Sequence, residues 1–219
     1  VEYKTEGFLP QALCNYLVRL GWAFGDQEIF STDEMIEHFS LESVHRSGAK
    51  FDMDKLRWIN AHYIKLLNPD QIIELFLKNL NKDFVKNTPD LNEKQRESWI
   101  KLYQDRVSTL KELYDAIMAA YFLPVRYDWE GLHQLIAKDV IIILQLLQQE
   151  FVKVEFEKTE IAARVKSFCK THDYKMAEIS QLLRFVLLGS LSGPSVFEMM
   201  ALLGSKEVAK RISVVLTEL

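Results

Sequence analysis

The sequence predicts a mainly α protein, and three observations carry that expectation. Apolar residues recur at spacings of three and four along most of the chain, the period that gathers them on one helix face. Capping side chains, prolines at helix starts and glycines at helix ends punctuate those stretches. Only eight glycines and five prolines occur in 219 residues, too few for the tight turns of a many-stranded sandwich or barrel. Sustained two-residue alternation, heptads and low-complexity tracts are absent from the sequence.

The first helix is expected to open at Pro10, where a missing N–H costs nothing, to bury Leu13, Tyr16, Leu17 and Leu20, and to end at Gly21. Ser31 and Glu34 have the spacing of a capping box, and Met35, Ile36 and Phe39 give the short helix behind it an apolar face. After a polar, glycine-containing loop at 42–50, Met53, Leu56, Ile59, Tyr63, Ile64 and Leu67 make a third helix. Its other face carries Lys55, Arg57 and His62. Asn68-Pro69-Asp70-Gln71 reads as an N-cap with proline at the first helical position, so a domain boundary is placed near Asn68, before a helix through Ile72, Ile73, Phe76, Leu77 and Leu80.

The stretch 81–90 is polar and reads as a connection. Helical patterns return at Trp99, Leu102 and Tyr103 and at Leu110, Leu113 and Ile117, and stop before Pro124, which marks a second boundary. Asp128 is expected to cap one long helix reaching about Glu150, with further helices over 161–168, 176–188 and 195–203. Gly204 closes the last of these, and Ser205 caps another. Three helix breakers fall close together in the loop Gly189-Ser190-Leu191-Ser192-Gly193-Pro194.

Composition narrows the functional classes. Twenty-seven Lys and Arg stand against 31 Asp and Glu, a net charge of −4, so nucleic-acid binding would need a local patch and no DNA partner is expected. Cys14 and Cys169 lie in apolar helical patterns with neither disulfide nor metal spacing, and are read as buried thiols. The aliphatic run 140–144 ends at Gln145, and no apolar run approaches the roughly 18 residues of a membrane span. Val1 stands in a charged stretch without an initiator methionine or a signal pattern, so a longer parent polypeptide is expected. Dinucleotide fingerprints, phosphate loops and paired-cysteine zinc patterns are absent, and the glycine loop has Leu191 where a hydrolase elbow needs serine. His38, His45, His62, His133 and His172 lack the i, i+4 spacing of metal ligands, and the acids Asp33-Glu34, Asp52 and Asp54 sit at helix starts, where they offset the helix dipole.

The order of residues carries a resemblance. Gly7-Phe8-Leu9-Pro10-Gln11-Ala12-Leu13-Cys14-Asn15-Tyr16-Leu17 with Leu20-Gly21-Trp22, then Phe51-Asp52-Met53-Asp54-Lys55-Leu56-Arg57-Trp58-Ile59-Asn60 and Tyr63-Ile64, closely resembles bacterial-type glutamyl-tRNA synthetases. The likeness returns in Leu102 to Leu113, in Leu183-Arg184 through Gly189-Ser190-Leu191, and in Gly193-Pro194-Ser195-Val196-Phe197-Glu198 to Leu202-Leu203-Gly204.

This resemblance implies a stem-contact domain over 1–67, a first helical anticodon-binding subdomain over 68–124 and a C-terminal helical subdomain over 125–219. It also implies that the chain is the noncatalytic, tRNA-binding part of a cytoplasmic, monomeric glutamate–tRNA ligase. ATP and Mg would belong to the parent enzyme and no cofactor to this chain. The implied partner is tRNA-Glu, with tRNA-Gln a second substrate in some members. Arg106, in Asp105-Arg106-Val107-Ser108-Thr109-Leu110-Lys111-Glu112, matches a position that inspects the first anticodon base. Arg184, Gly193, Pro194 and Val196 match positions around the other two bases, while Lys55 and Arg57 would meet the stem backbone. Arginine suits base reading because it offers both a donor fork and a flat cation. The alternative class is a noncatalytic helical adaptor whose 189–194 loop and apolar helix faces bind a partner protein.

Overall fold

The computed structural model describes residues 2–44, 48, 50–135, 140–152 and 155–219. Among them are thirteen α-helices, one 3-10 turn at Leu41–Ser43 and no strand, so the fold is mainly α as the sequence predicts. The chain divides into two compact units, Val1–Ala116 and Ile117–Leu219.

The first unit holds α1 (Glu2–Thr5), α2 (Pro10–Gly21), α3 (Thr32–His38), α4 (Met53–Lys65), α5 (Pro69–Leu80), α6 (Phe84–Asn87), α7 (Glu93–Gln104) and the start of α8 (Leu110–Tyr121). Its helix starts follow the sequence chemistry. Ser31 with Glu34 and Asn68 with Gln71 form complete capping boxes, and so does Asn92 with Gln95 at α7. The polar stretch 81–90 contains α6, a single turn capped by Asp83 that buries Phe84 against Phe76, with ring centroids 5.6 Å apart. Its polarity hid it, because only one of its residues faces inward.

α2 packs on α4. Ala12, Asn15 and Tyr16 are buried, whereas Leu17 is 56% exposed and Cys14 is also exposed, which corrects the expectation of a buried thiol there. Cys14 lies two positions from both Ala12 and Tyr16 and so projects from the far side of the helix. Cys169 is buried as expected, and its burial raises the thiol pKa despite a backbone hydrogen bond that lowers it.

Two buried asparagines hold the loops of this unit. Asn15 Nδ2 donates to the Glu28 carbonyl at 2.9 Å, and its Oδ1 accepts the Phe30 amide and the Tyr63 hydroxyl, each at 3.0 Å. Asn60 accepts the Leu9 amide at 2.8 Å and donates to the Gly7 and Ser108 carbonyls at 3.3 and 2.6 Å. With every polar atom partnered, the buried amides fix geometry rather than cost stability.

The second unit holds α9 (Trp129–Leu135), α10 (Val140–Phe151), α11 (Lys158–His172), α12 (Met176–Leu188) and α13 (Val196–Glu218). α9 and α10 cover the ground of the single long helix expected from Asp128 to about Glu150; residues 136–139 between them lie outside the described residues, as do His45 and part of the 42–50 loop. Asp128 does cap α9, its Oδ1 accepting the Gly131 amide at 3.0 Å. α13 contacts α10, α11 and α12 and is bent at Gly204, whose φ of 80° and ψ of 162° interrupt the helix where the sequence places a stop. A fully buried Arg211 donates to the carbonyls of Ala120, Leu187 and Tyr121 at 2.9, 2.6 and 2.8 Å and to Glu207 at 3.0 Å. It thereby serves carbonyls that two helix C-termini leave without intrahelical partners.

Candidate nucleic-acid interface

The basic face of α4 is set at its first turn. Asp52 caps the helix by accepting the Asp54 and Lys55 amides, which fixes the phase at which Lys55, Arg57 and Trp58 project. Lys55 Nζ lies 3.2 Å from Glu28 Oε2 and 4.3 Å from the centroid of the Trp58 ring, which is 51% exposed. Arg57 pairs with Glu112 at the first turn of α8. Both cations assigned to a stem backbone are therefore already opposed by carboxylates.

Arg106 follows α7 in a turn closed by its own amide donating to the Tyr103 carbonyl at 2.9 Å, and its side chain is exposed. The ground on either side is fixed. Gln104 donates to the carbonyls of Ile64 and Leu67, both at 2.8 Å, and Val107 and Thr109 are buried. Ser108 offers its carbonyl to Asn60 and its amide to Glu112 Oε2 at 2.7 Å. An exposed guanidinium on a segment pinned this way can form hydrogen bonds and stack with little further loss of backbone freedom.

In the second unit Arg184 projects from α12 and its Nε donates to the Pro194 carbonyl at 3.1 Å. Gly193 stands beside the Arg184 stem: a Cβ built on it would lie 3.8 Å from Arg184 Cδ. Pro194 is buried, and Val196 is 1% exposed, so the Val196 side chain belongs to the core. The loop is braced from the other side by Gly189, whose carbonyl accepts the Asp128 amide at 2.8 Å. Gly189 has a φ of +69°, and a Cβ there would lie 2.0 Å from the Arg126 carbonyl oxygen, so no other residue fits. Arg184, Gly193 and Pro194 thus come together, while Lys55, Arg57 and Arg106 belong to the first unit.

The supporting residues Glu28, Asn60, Gln104 and Glu112 were not legible as such in the sequence. Asn60 and Gln104 carried one usable signal, a polar amide on the apolar stripe of an amphipathic helix. Among the described residues no three His, Cys, Asp or Glu side chains are grouped to hold a metal ion, and no helix is long and apolar enough to cross a membrane.

Fold and site together define a mainly α protein that presents one arginine, Arg106, on a pinned turn and another, Arg184, on a helix beside a braced loop. A family profile described as "Anticodon binding domain" matches residues 66–216, and the chain belongs to that family. A second profile, described as the catalytic domain of class I tRNA synthetases (E and Q), matches residues 1–58. The chain is similar to the glutamate–tRNA ligase of Geotalea uraniireducens, 37% identical over 97% of this chain and 45% of the relative. Against that of Nitrosomonas europaea it is 33% identical, again over 97% of this chain and 45% of the relative. It therefore spans less than half the length of these curated relatives. Among solved structures, a glutamate tRNA ligase from Elizabethkingia meningosepticum in complex with its amino acid matches with a TM-score of 0.85 and 26% identity, over 98% of this chain and 42% of that one. The glutamate–tRNA synthetase of Elizabethkingia anophelis gives 0.83 and 29% over the same shares.

Proposed function

We propose that this chain is the tRNA-binding, C-terminal portion of a glutamate–tRNA ligase, recognising the stem and anticodon of tRNA-Glu. The observation that carries the reading is continuous similarity to glutamate–tRNA ligases along 97% of the chain, joined to membership of the anticodon-binding family. In this reading 1–67 meets the stem, and 68–124 and 125–219 form the two parts of the anticodon-binding region. Arg106 and Arg184 read bases, Gly193, Pro194 and the Val196 backbone shape the loop that seats them, and Lys55 takes a phosphate. Phosphate contacts set orientation and base contacts set identity.

Activation of glutamate with ATP and Mg is assigned to the part of the parent enzyme outside this chain. The chain covers 45% of the length of its Geotalea relative, and its match to the catalytic-domain profile is confined to residues 1–58. The acidic net charge of −4 makes binding weak and dependent on a local patch. Titration of the chain with tRNA-Glu and with an unrelated tRNA tests the proposal. Preference for tRNA-Glu, without glutamate-dependent ATP–pyrophosphate exchange, is the expected result. Equal indifference to both tRNAs would favour a protein-binding adaptor, and exchange activity would contradict the assignment of chemistry to the rest of the parent.

A further inference from the structure

Arg19, on α2, is a cation that the family resemblance leaves without a role, and it shares Glu28 with Lys55 of the α4 basic face. Its Nε lies 3.3 Å from Glu28 Oε2, the same oxygen that Lys55 Nζ approaches to 3.2 Å. Two cations from two helices therefore converge on one anionic point. Glu28 is held there from below, because its carbonyl accepts Asn15 Nδ2 at 2.9 Å, and Arg19 is also steadied by a contact of its Nη1 with the Trp22 carbonyl at 3.4 Å. The Arg19 side chain is 18% exposed and that of Glu28 37% exposed. Trp58, half exposed beside Lys55, offers a flat apolar surface next to this point.

We propose that Arg19 and Lys55 form a phosphate seat for an RNA backbone, and that in the free protein Glu28 Oε2 fills it as an internal stand-in for a phosphate oxygen. The proposal rests on the tRNA-binding reading and adds to it one residue, Arg19, and one competitor, Glu28. When RNA docks, a nonbridging phosphate oxygen replaces the carboxylate oxygen between the two cations, while Trp58 lies against the neighbouring ribose or base. Association then has to displace a resident anion, which lowers affinity for any polyanion that cannot also reach the rest of the surface. The carboxylate is suited to this part. Burial pushes its pKa up, but hydrogen bonds and charge from Arg19 and Lys55 outweigh that and hold it below the ordinary glutamate value, so it stays ionised at neutral pH.

Filter binding of the full chain to a tRNA-Glu transcript at several salt concentrations tests this. Glu28→Gln keeps the backbone bond to Asn15 and removes the competing charge. It is expected to tighten binding about threefold or more at low salt and to steepen the dependence of log affinity on log salt by up to about one. Glu37→Gln, the same charge change on exposed α3, should do neither, and Arg19→Met in the Glu28→Gln background should abolish the gain. Circular dichroism melts confirm that each variant is folded. If wild type binds and Glu28→Gln does not exceed it, or if Glu37→Gln gains as much, the seat is refuted while the tRNA reading stands. A gain that survives Arg19→Met removes Arg19 from the seat. If neither wild type nor Glu28→Gln binds tRNA at any salt, both the seat and the tRNA reading fall.

Discussion

The Arg57 guanidinium donates to Glu112, and the other oxygen of that carboxylate accepts the Ser108 amide at 2.7 Å. One side chain of α4 is thereby tied through one side chain of α8 to the segment that presents Arg106. Arg57 thus sits in the brace of a loop. Because both partners are more than a third exposed, the pair itself contributes only about 0.2–1 kcal/mol.

Arg57→Met is accordingly expected to lower stability by less than about 1 kcal/mol and to leave the salt dependence of tRNA binding unchanged. Denaturant melts and salt titrations measure the two effects. A slope shallower by about one unit would return Arg57 to the role of a phosphate contact.

Arg211→Met should be far more damaging. It removes the donor that three carbonyls share, those of Ala120 and Leu187 buried and that of Tyr121 partly so, while Glu207 keeps Lys210 at 3.4 Å. Leaving a buried carbonyl without its donor costs about 1–3 kcal/mol. Denaturant unfolding of the full chain reads the loss; a change below about 1 kcal/mol would mean that water satisfies those carbonyls in the protein.

Gly189→Ala is expected to cost about 1–3 kcal/mol, because the position combines a φ of +69° with the Arg126 carbonyl 2.0 Å from any Cβ. Gly193→Ala carries some strain of its own at a φ of +158°, but its Cβ meets mainly the tip of Leu188, 2.7 Å away, a flexible side chain that can turn aside, so its loss is expected to be the smaller. The comparison of the two melts isolates the brace from the loop, and equal losses would contradict it.

The reason the fold was legible is visible in α5 and α12. Asn68, Pro69 and Gln71 are local signals that mark a start wherever the chain goes next, and the buried stripe of α12, from Ile179 to Leu187, repeats at helical spacing. Exposure was harder to read. Leu17, Ile36 and Met53 fit apolar patterns yet stand 56, 74 and 44% exposed, since periodicity assigns a face without showing how wide a partner covers it. The candidate site was named only by resemblance, as Lys55, Arg57, Arg106, Arg184, Gly193, Pro194 and Val196. Their partners come from distant sequence: Glu28 lies 27 residues before Lys55 and Glu112 lies 55 after Arg57, separations that no local rule spans. Arg211 was hidden for a related reason, as its acceptors are backbone carbonyls, which every residue has.

A titration follows from Tyr63. Burial, and secondarily the electrostatic effect of Glu34 and Cys14, push its phenol above the ordinary value of 10.0. The folded state therefore holds this proton more tightly than the unfolded chain. Its contribution is complete below the unfolded value and is lost as pH rises through the folded one. Stability should fall on the alkaline side, and Tyr63→Phe should flatten that limb while costing about 1 kcal/mol at neutral pH through the lost bonds to Asn15 and Phe30. Melts between neutral and strongly alkaline pH check this; an unchanged alkaline limb in Tyr63→Phe would assign the loss to other groups, Tyr127 among them.

The proposed selection of tRNA through its anticodon can be probed at Arg106, whose exposed side chain stands on a pinned turn. The measurement is the affinity of wild type and Arg106→Gln for tRNA-Glu, for tRNA-Gln, and for tRNA-Glu transcripts altered one anticodon base at a time. Loss of a base-edge contact costs about 1–3 kcal/mol at the base it reads and relaxes choice there. Wild type is expected to prefer the unaltered tRNA-Glu, and Arg106→Gln to narrow the gap at one anticodon position. A uniform loss across all transcripts, or a wild type indifferent to the anticodon, would contradict the proposal.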